Sequence, residues 1–307
     1  MKQPFLMLPM LIVIVSFSCK GTKNISDSGE IFKSSILTPV NSFTSGVEGP
    51  AVDKAGILYA VNFAHEGTIG MITPTGQSSL FIELPDKSIG NGIRFNSKGE
   101  MYIADYTNHN ILKVDMATKQ LTVFAHESSM SQPNDIAIDS KDRLYASDPN
   151  WKAGTGAIWR IDTNCKVTLL EGNMGTTNGI EVSPDDRRLY VNESVQRKVW
   201  VYDLSPDGQI SNKRLLIEFP DFGMDGMRCD TEGNLYIARH GKGTVAKVSP
   251  EGKLLREIIL TGKKPSNIAF GGKDGRTAYT TLQDQGNLET FRVDAPGREW
   301  KMQKNNQ

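Results

Sequence analysis

Asp139-Ser-Lys-Asp142-Arg-Leu-Tyr145 is a turn that feeds an apolar strand. Before it stands Ile136-Ala-Ile138, and after it come Ala157-Ile-Trp-Arg-Ile161 and Lys166-Val-Thr-Leu-Leu170. Short alternating runs separated by turn residues read as β-strands. The same stretch recurs along the chain. It appears as Asp53-Lys-Ala-Gly56-Ile-Leu-Tyr59, Asn96-Ser-Lys-Gly99-Glu-Met-Tyr102 and the longer run from Ser183 to Tyr190. It returns as Asp230-Thr-Glu-Gly233-Asn-Leu-Tyr236 and in a looser copy ending at Tyr279. The Tyr-to-Tyr spacings are 43, 43, 45, 46 and 43 residues. Four strands in about 40 to 50 residues is the arithmetic of a β-propeller blade. Six copies predict an all-β, six-bladed propeller over residues 31–295, with four antiparallel strands per blade. No room is left for a second domain, and long amphipathic helical patterns, which a helical solenoid needs, are missing. The last copy supplies three strands, ending with Leu288 to Val293. The segment Ile31 to Leu37 is expected to add the fourth, which would remove the open sheet edge. Residues 296–307 are read as a C-terminal tail.

Composition agrees with a soluble globular body. The 307 residues include 35 basic and 35 acidic side chains, so the formal net charge is zero and nucleic-acid binding has no electrostatic basis. Three cysteines exclude a disulfide-stapled scaffold. The N-terminus reads differently from the rest. Lys2 precedes an apolar run from Phe5 to Phe17, too short to span a bilayer, which takes roughly 20 residues. It suits the centre of an export signal. The small residues before Cys19 resemble a bacterial lipoprotein processing site, so residues 1–19 are expected to be a signal peptide with lipidation at Cys19. Residues 20–30 would be a polar tether. The expected location is periplasmic or outer-membrane anchored, with membrane contact only through the lipid. A closed propeller needs no partner, so a monomer is expected.

Counting back 11 or 12 residues from each repeat Tyr gives Glu48, Asn91, Asn134, Asn178, Asp225 and Asn267. Each precedes an apolar innermost strand. Repeat-equivalent positions in a propeller are related by rotation about the channel, so these six should face one another at one end of it. The set holds two carboxylates and four amides, with no His or Cys. Hard oxygen donors suit Ca²⁺, and the two carboxylates match its charge. Zn²⁺ or Mn²⁺ are the alternatives. Without a cation, Glu48 and Asp225 would repel across a narrow channel. The competing explanation is local, because Asn, Asp and Gly are common at turns.

The loop after each repeat Tyr should lie on the ring's side of the disc. These loops carry His65, Asp105, Tyr106, Asp148, Trp151, Glu193, Arg239, His240 and Gln283, read here as the pocket wall. Asp148 and His240 stand out as candidate proton carriers. Trp151 is the expected apolar wall, and Arg239 a substrate contact.

Glu48-Gly-Pro, Pro133-Asn134-Asp, Asn178-Gly-Ile and Asp225-Gly-Met resemble the motifs of the SMP-30, gluconolactonase and luciferin-regenerating-enzyme family. The likeness extends to diisopropylfluorophosphatase and covers about residues 40 to 295, blade by blade. It implies a divalent cation held by Glu48, Asn134, Asn178 and Asp225, with Asn91 and Asn267 as second-rank ligands or substrate contacts. It also implies hydrolysis of a small-molecule lactone such as a sugar lactone. The cation would draw charge from the carbonyl, and Asp225, with Asp148 as the alternative, would take the proton of water or attack directly. Three other functions share the plan: a non-catalytic binding or scaffold propeller with a structural cation, a phosphotriesterase, and a strictosidine-synthase-like enzyme. The phosphatase carries a His after the second strand of its last blade, where this chain has Thr281-Leu282-Gln283, so a mechanism based on that His does not carry over.

Overall fold

The computed structural model describes Met1 and residues 30–305. The expected signal segment apart from Met1, Cys19 included, and all of the expected tether but Glu30 lie outside the described residues. Each repeat folds because its turn is closed by its own side chains. Asp53 accepts the Ile57 amide on Oδ1 at 2.9 Å and the Tyr59 hydroxyl on Oδ2 at 3.1 Å. Asp139 does the same with the Arg143 amide and the Tyr145 hydroxyl. In these two repeats the acidic residue and the Tyr six positions on are therefore two ends of one clamp, whereas the Tyr236 hydroxyl donates to Asp294. Between them the chain takes a left-handed turn, met by Gly56, Gly99 and Gly233 and by Asp142, a residue type that tolerates it.

Six such units form six four-stranded antiparallel sheets. Blades 1 to 5 span residues 43–83, 90–126, 136–174, 177–218 and 227–259, each with its strands in chain order from channel to rim. Blade 6 takes three strands from 265–292, and its outer strand, Ser35–Ile36, pairs with Asn287–Arg292. The Leu37 amide donates to Leu288 O at 2.9 Å beside it. The closure expected from the N-terminal segment is thus the one observed. Apolar burial falls between blades rather than in one centre. Tyr59 and Val61 of blade 1 pack with Ile93, Phe95 and Ile103 of blade 2, and Tyr190 and Val199 of blade 4 pack with Met227 and Ile237 of blade 5. Of the two cysteines in the domain, Cys229 is buried, Cys165 is exposed and both are free.

Residues 296–307 hold more than a tail. A helix, Arg298–Asn305, closes the channel at the ends of the innermost strands. It reaches every blade. Gln303 Nε2 donates to Val52 O of blade 1 at 2.9 Å, and Arg298 donates to Ile138 O of blade 3 and Ser183 O of blade 4. Trp300 Nε1 donates to Gly272 O of blade 6 at 3.1 Å. Glu299 forms ion pairs with Arg94 of blade 2 and Arg228 of blade 5.

Candidate metal centre and pocket

The six ring residues stand where the innermost strands begin, at the end of the channel opposite the helix. Pairing with the second strand slips by one residue between Glu48 and Ala51, and again between Gly90 and Ile93, Thr177 and Ile180, and Pro265 and Ile268. A bulge of this kind re-aims a side chain out of the sheet. In blades 3 and 5 the same slip shows in the backbone: Asn134 N donates to Ser147 O, whose own N–H donates to Asp135 O, and Asp225 and Ala238 do likewise with Gly226. The glycines after ring residues answer to close approach as well as to turn geometry. A Cβ on Gly49, where φ is +54°, would lie 1.9 Å from Asn91 O. One on Gly226 would lie 2.0 Å from the Asn267 side chain.

The electrostatics of the ring are those of a site built for positive charge. Burial, together with the Asp135 carboxylate, pushes Glu48 up to about 7. Asp225 is raised well above the ordinary carboxylate range by burial and by the charge of Glu48. The Oδ1 atoms of Asn91, Asn134 and Asn178 are buried with no donor. An acceptor left unpaired in this way is costly. Two carboxylates and three vacant amide oxygens, with no His or Cys, fit a hard divalent cation. Asn267 is used differently. Its Nδ2 donates to Glu48 Oε2 at 3.0 Å and its Oδ1 accepts the Ile268 amide. It does not line the pocket, so the structure makes it a support for Glu48 rather than a substrate contact. Asn192 was not anticipated. It is fully buried, and its Nδ2 donates to the Asp225 carbonyl at 2.6 Å. A polar residue inside the apolar strand Leu-Tyr-Val-Asn192 was the available signal.

Above the ring is a cavity of about 410 Å³. Its floor is Glu48, Asn91, Asn134, Asn178 and Asp225, and its wall includes the expected Tyr106, Trp151, His240 and Gln283. Glu66, Asn62, Ile89 and Ser194 join them without having been predicted. Among the described residues, no Lys or Arg lines it. His240 lies 3.3 Å from Gln283 Oε1, and burial holds its pKa below the ordinary histidine value, which keeps the ring neutral near pH 7.

Asp148, Arg239, His65, Asp105 and Glu193 do not line the cavity. All but His65 tie the chain entering the innermost strand to the strand beside it. Asp148 accepts the amides of Ser131 and Gln132 and the Trp159 indole N–H, so its oxygens are spent. Asp105 accepts the Ser88 hydroxyl at 2.7 Å and Glu193 the Gly175 amide at 2.8 Å. Arg239 donates to Asp221 O and pairs with Glu257, and Asn62 donates to Gly46 O. These anchors sit three residues after the repeat Tyr in blades 1 to 5, a periodicity present in the sequence; Asp105, Asp148, Glu193 and Arg239 were expected in the pocket wall, whereas Asn62, which does line the cavity, was not. In blade 6 the anchor is Asp284, which accepts the amides of Lys263 and Lys264.

Comparison with known proteins places this geometry. A gluconolactonase of Zymomonas mobilis is 26% identical, aligned over 85% of this chain and 86% of its own. A pentonolactonase of Haloferax volcanii is 30% identical over 48% of this chain and 52% of its own. Among solved structures, a calcium-binding regucalcin of Agrobacterium tumefaciens superposes with a TM-score of 0.74 at 23% identity, covering 86% of this chain and 97% of that one. A luciferin-regenerating enzyme superposes with a TM-score of 0.71 at 21% identity, over 83% and 95% of the two chains. The model of the SMP-30/gluconolactonase/LRE-like region matches residues 46–284, and the chain belongs to that family.

Proposed function

We propose that the protein is a metal-dependent hydrolase of a neutral sugar lactone. The observation that carries this reading is the ring, where two mutually repelling carboxylates and three donorless amide oxygens form the floor of an open cavity. Glu48, Asn134, Asn178 and Asp225 would hold the cation, Ca²⁺ on the chemistry of the donors, with Asn91 beside them. When bound, the cation supplies Lewis acidity toward a carbonyl oxygen. The chain's own residues do the rest. Asn267 and Asn192 fix Glu48 and Asp225 from behind. Tyr106, Trp151 and Ile89 offer an apolar wall for one face of a ring-shaped substrate, while Glu66, Ser194 and Gln283 offer hydrogen bonds to hydroxyls. Asp225 and the neutral His240 are the candidates for taking a proton, with Glu66 a further carboxylate in the wall. Asp148 lies outside the cavity lining with its oxygens bonded to Ser131, Gln132 and Trp159, so it has no place as the base. The lactonases of Zymomonas mobilis and Haloferax volcanii support the substrate class, and the calcium-binding regucalcin supports the cation.

A 6-deoxy-6-sulfogluconolactonase of Pseudomonas putida is also a relative, 32% identical over 49% of this chain and 54% of its own. A cavity with Glu66 in its wall and, among the described residues, no Lys or Arg offers a sulfonate no permanently charged partner. The test is hydrolysis of neutral aldonolactones and of a 6-sulfo lactone by purified protein, with and without chelator, beside elemental analysis of bound metal. Turnover of the neutral lactones, lost on chelation and restored by Ca²⁺, is expected. Bound metal without turnover would move the protein to a binding role, and no bound divalent metal at millimolar supply would end the reading of the ring.

A further inference from the structure

Below the ring, the channel holds charges that the proposed chemistry does not use. Arg94 and Arg228, each three residues after a ring residue, are buried at 0% and 1% exposure. Both guanidinium groups contact Asp135, at 3.3 Å and 3.1 Å. Asp135 directly follows Asn134, and its charge is felt at both Glu48 and Asp225. The other partner of the two arginines comes from the C-terminal helix. Glu299 Oε1 lies 2.5 Å from Arg94 Nε, out of line for a hydrogen bond, and 3.8 Å from Arg228 Nε. The four groups sum to zero charge. Arg298, from the same helix, faces Glu181 at 3.7 Å and Asp186 at 2.7 Å, and Glu181 in turn feels the charges of Glu299, Arg94 and Arg228.

We propose that Glu299 is a positioning residue for the metal centre: it balances Arg94 and Arg228 and holds them on Asp135, so that the C-terminal helix sets cation affinity at the far end of the channel. The inference rests on reading the ring as a cation site. Without the Glu299 carboxylate, Arg94 and Arg228 keep Asp135 as their one ion-pair partner among the described residues, while Glu181 is paired with Arg298, beneath a site that must accept two positive charges. In a buried channel that excess is weakly screened and acts over several ångströms. Loss of packing alone would not have this consequence, because a helix bond that carries no charge leaves the field at the ring unchanged.

The experiment is calcium titration calorimetry of the metal-free full domain at pH 7.5, with thermal unfolding of each variant. Glu299→Gln is expected to weaken Ca²⁺ binding roughly tenfold. Glu299→Asp should stay within about threefold of the parent, because it keeps the charge. Gln303→Ala, which cuts the bond to Val52 O, should lower the unfolding temperature and leave affinity unchanged. Adding Arg94→Gln to Glu299→Gln restores neutrality and should recover affinity; this pair also serves if the single variant folds poorly. Unchanged affinity in Glu299→Gln overturns the inference, as does equal weakening in Gln303→Ala or no recovery in the double variant. If the parent binds no divalent cation, the reading of the ring falls and takes this inference with it. If the parent binds and Glu299→Gln binds as well, only the role of Glu299 falls.

Discussion

At the scale of single residues, two aspartates that look alike in sequence part company. Asp225 opens onto the cavity, has the ring residues Asn178 and Glu48 as its side-chain partners, and is raised by burial and by Glu48. Asp148 is closed off by two loop amides and an indole. Asp225→Asn is expected to fold and to lose kcat by on the order of 100-fold or more, with Ca²⁺ affinity reduced as well. Near-normal kcat would remove Asp225 from the chemistry. Asp148→Asn should instead destabilise the fold by about 1 to 3 kcal/mol, since it turns an NH2 donor toward the N–H groups that the carboxylate accepts and leaves them unmatched. The pH dependence of its kcat should keep the parent's shape. A vanished limb in that profile would return Asp148 to catalysis. The positions of the ring residues were legible because an 11 or 12 residue offset from Tyr survives in every copy. The anchors recur at a fixed offset in blades 1 to 5, but periodicity alone does not say whether an oxygen points at a ligand or at its own loop.

At the scale of elements, the C-terminal helix is the part with no precursor in the repeat. Its eight residues carry Arg298, 3% exposed, bonded to backbone carbonyls of blades 3 and 4 and facing Glu181 and Asp186. Arg298→Ala would strip a buried carboxylate of its counter-charge, and such losses typically cost about 3 to 5 kcal/mol. Chemical denaturation should register a loss of that order with an unchanged slope. A loss below about 1 kcal/mol would mean that the helix only rests on the disc. The strand Ser35–Ile36 closes the ring from the other terminus, so both ends of the chain are enlisted in holding blade against blade.

At the scale of the whole molecule, the propeller concentrates acid in its axis. Glu48 and Glu181 are each pushed up to about 7, the first mainly by burial and Asp135, the second by burial and Glu299, and Asp225 is raised as well. A carboxyl whose folded pKa exceeds its unfolded one binds more protons when folded, so its contribution is full at low pH and is lost as pH rises through the folded value. The metal-free protein is therefore expected to lose thermal stability between about pH 5 and pH 8, and Ca²⁺ to restore more at pH 8 than at pH 5. Unfolding curves in chelator across that range would check it; a flat or rising profile would mean that the axis is not strained. The sequence by itself determined the blade, the count of blades, the strand that closes them and the six residues that meet at the axis. Each of these follows from period and rotation, and a repeat carries both in its spacing. Only the tertiary structure decided which polar side chains face the cavity, that Asn267 and Asn192 stand behind the carboxylates, and that residues after 296 seal the channel. Those depend on where a side chain finds its donor or counter-charge across blades, and that pairing has no fixed distance along the chain.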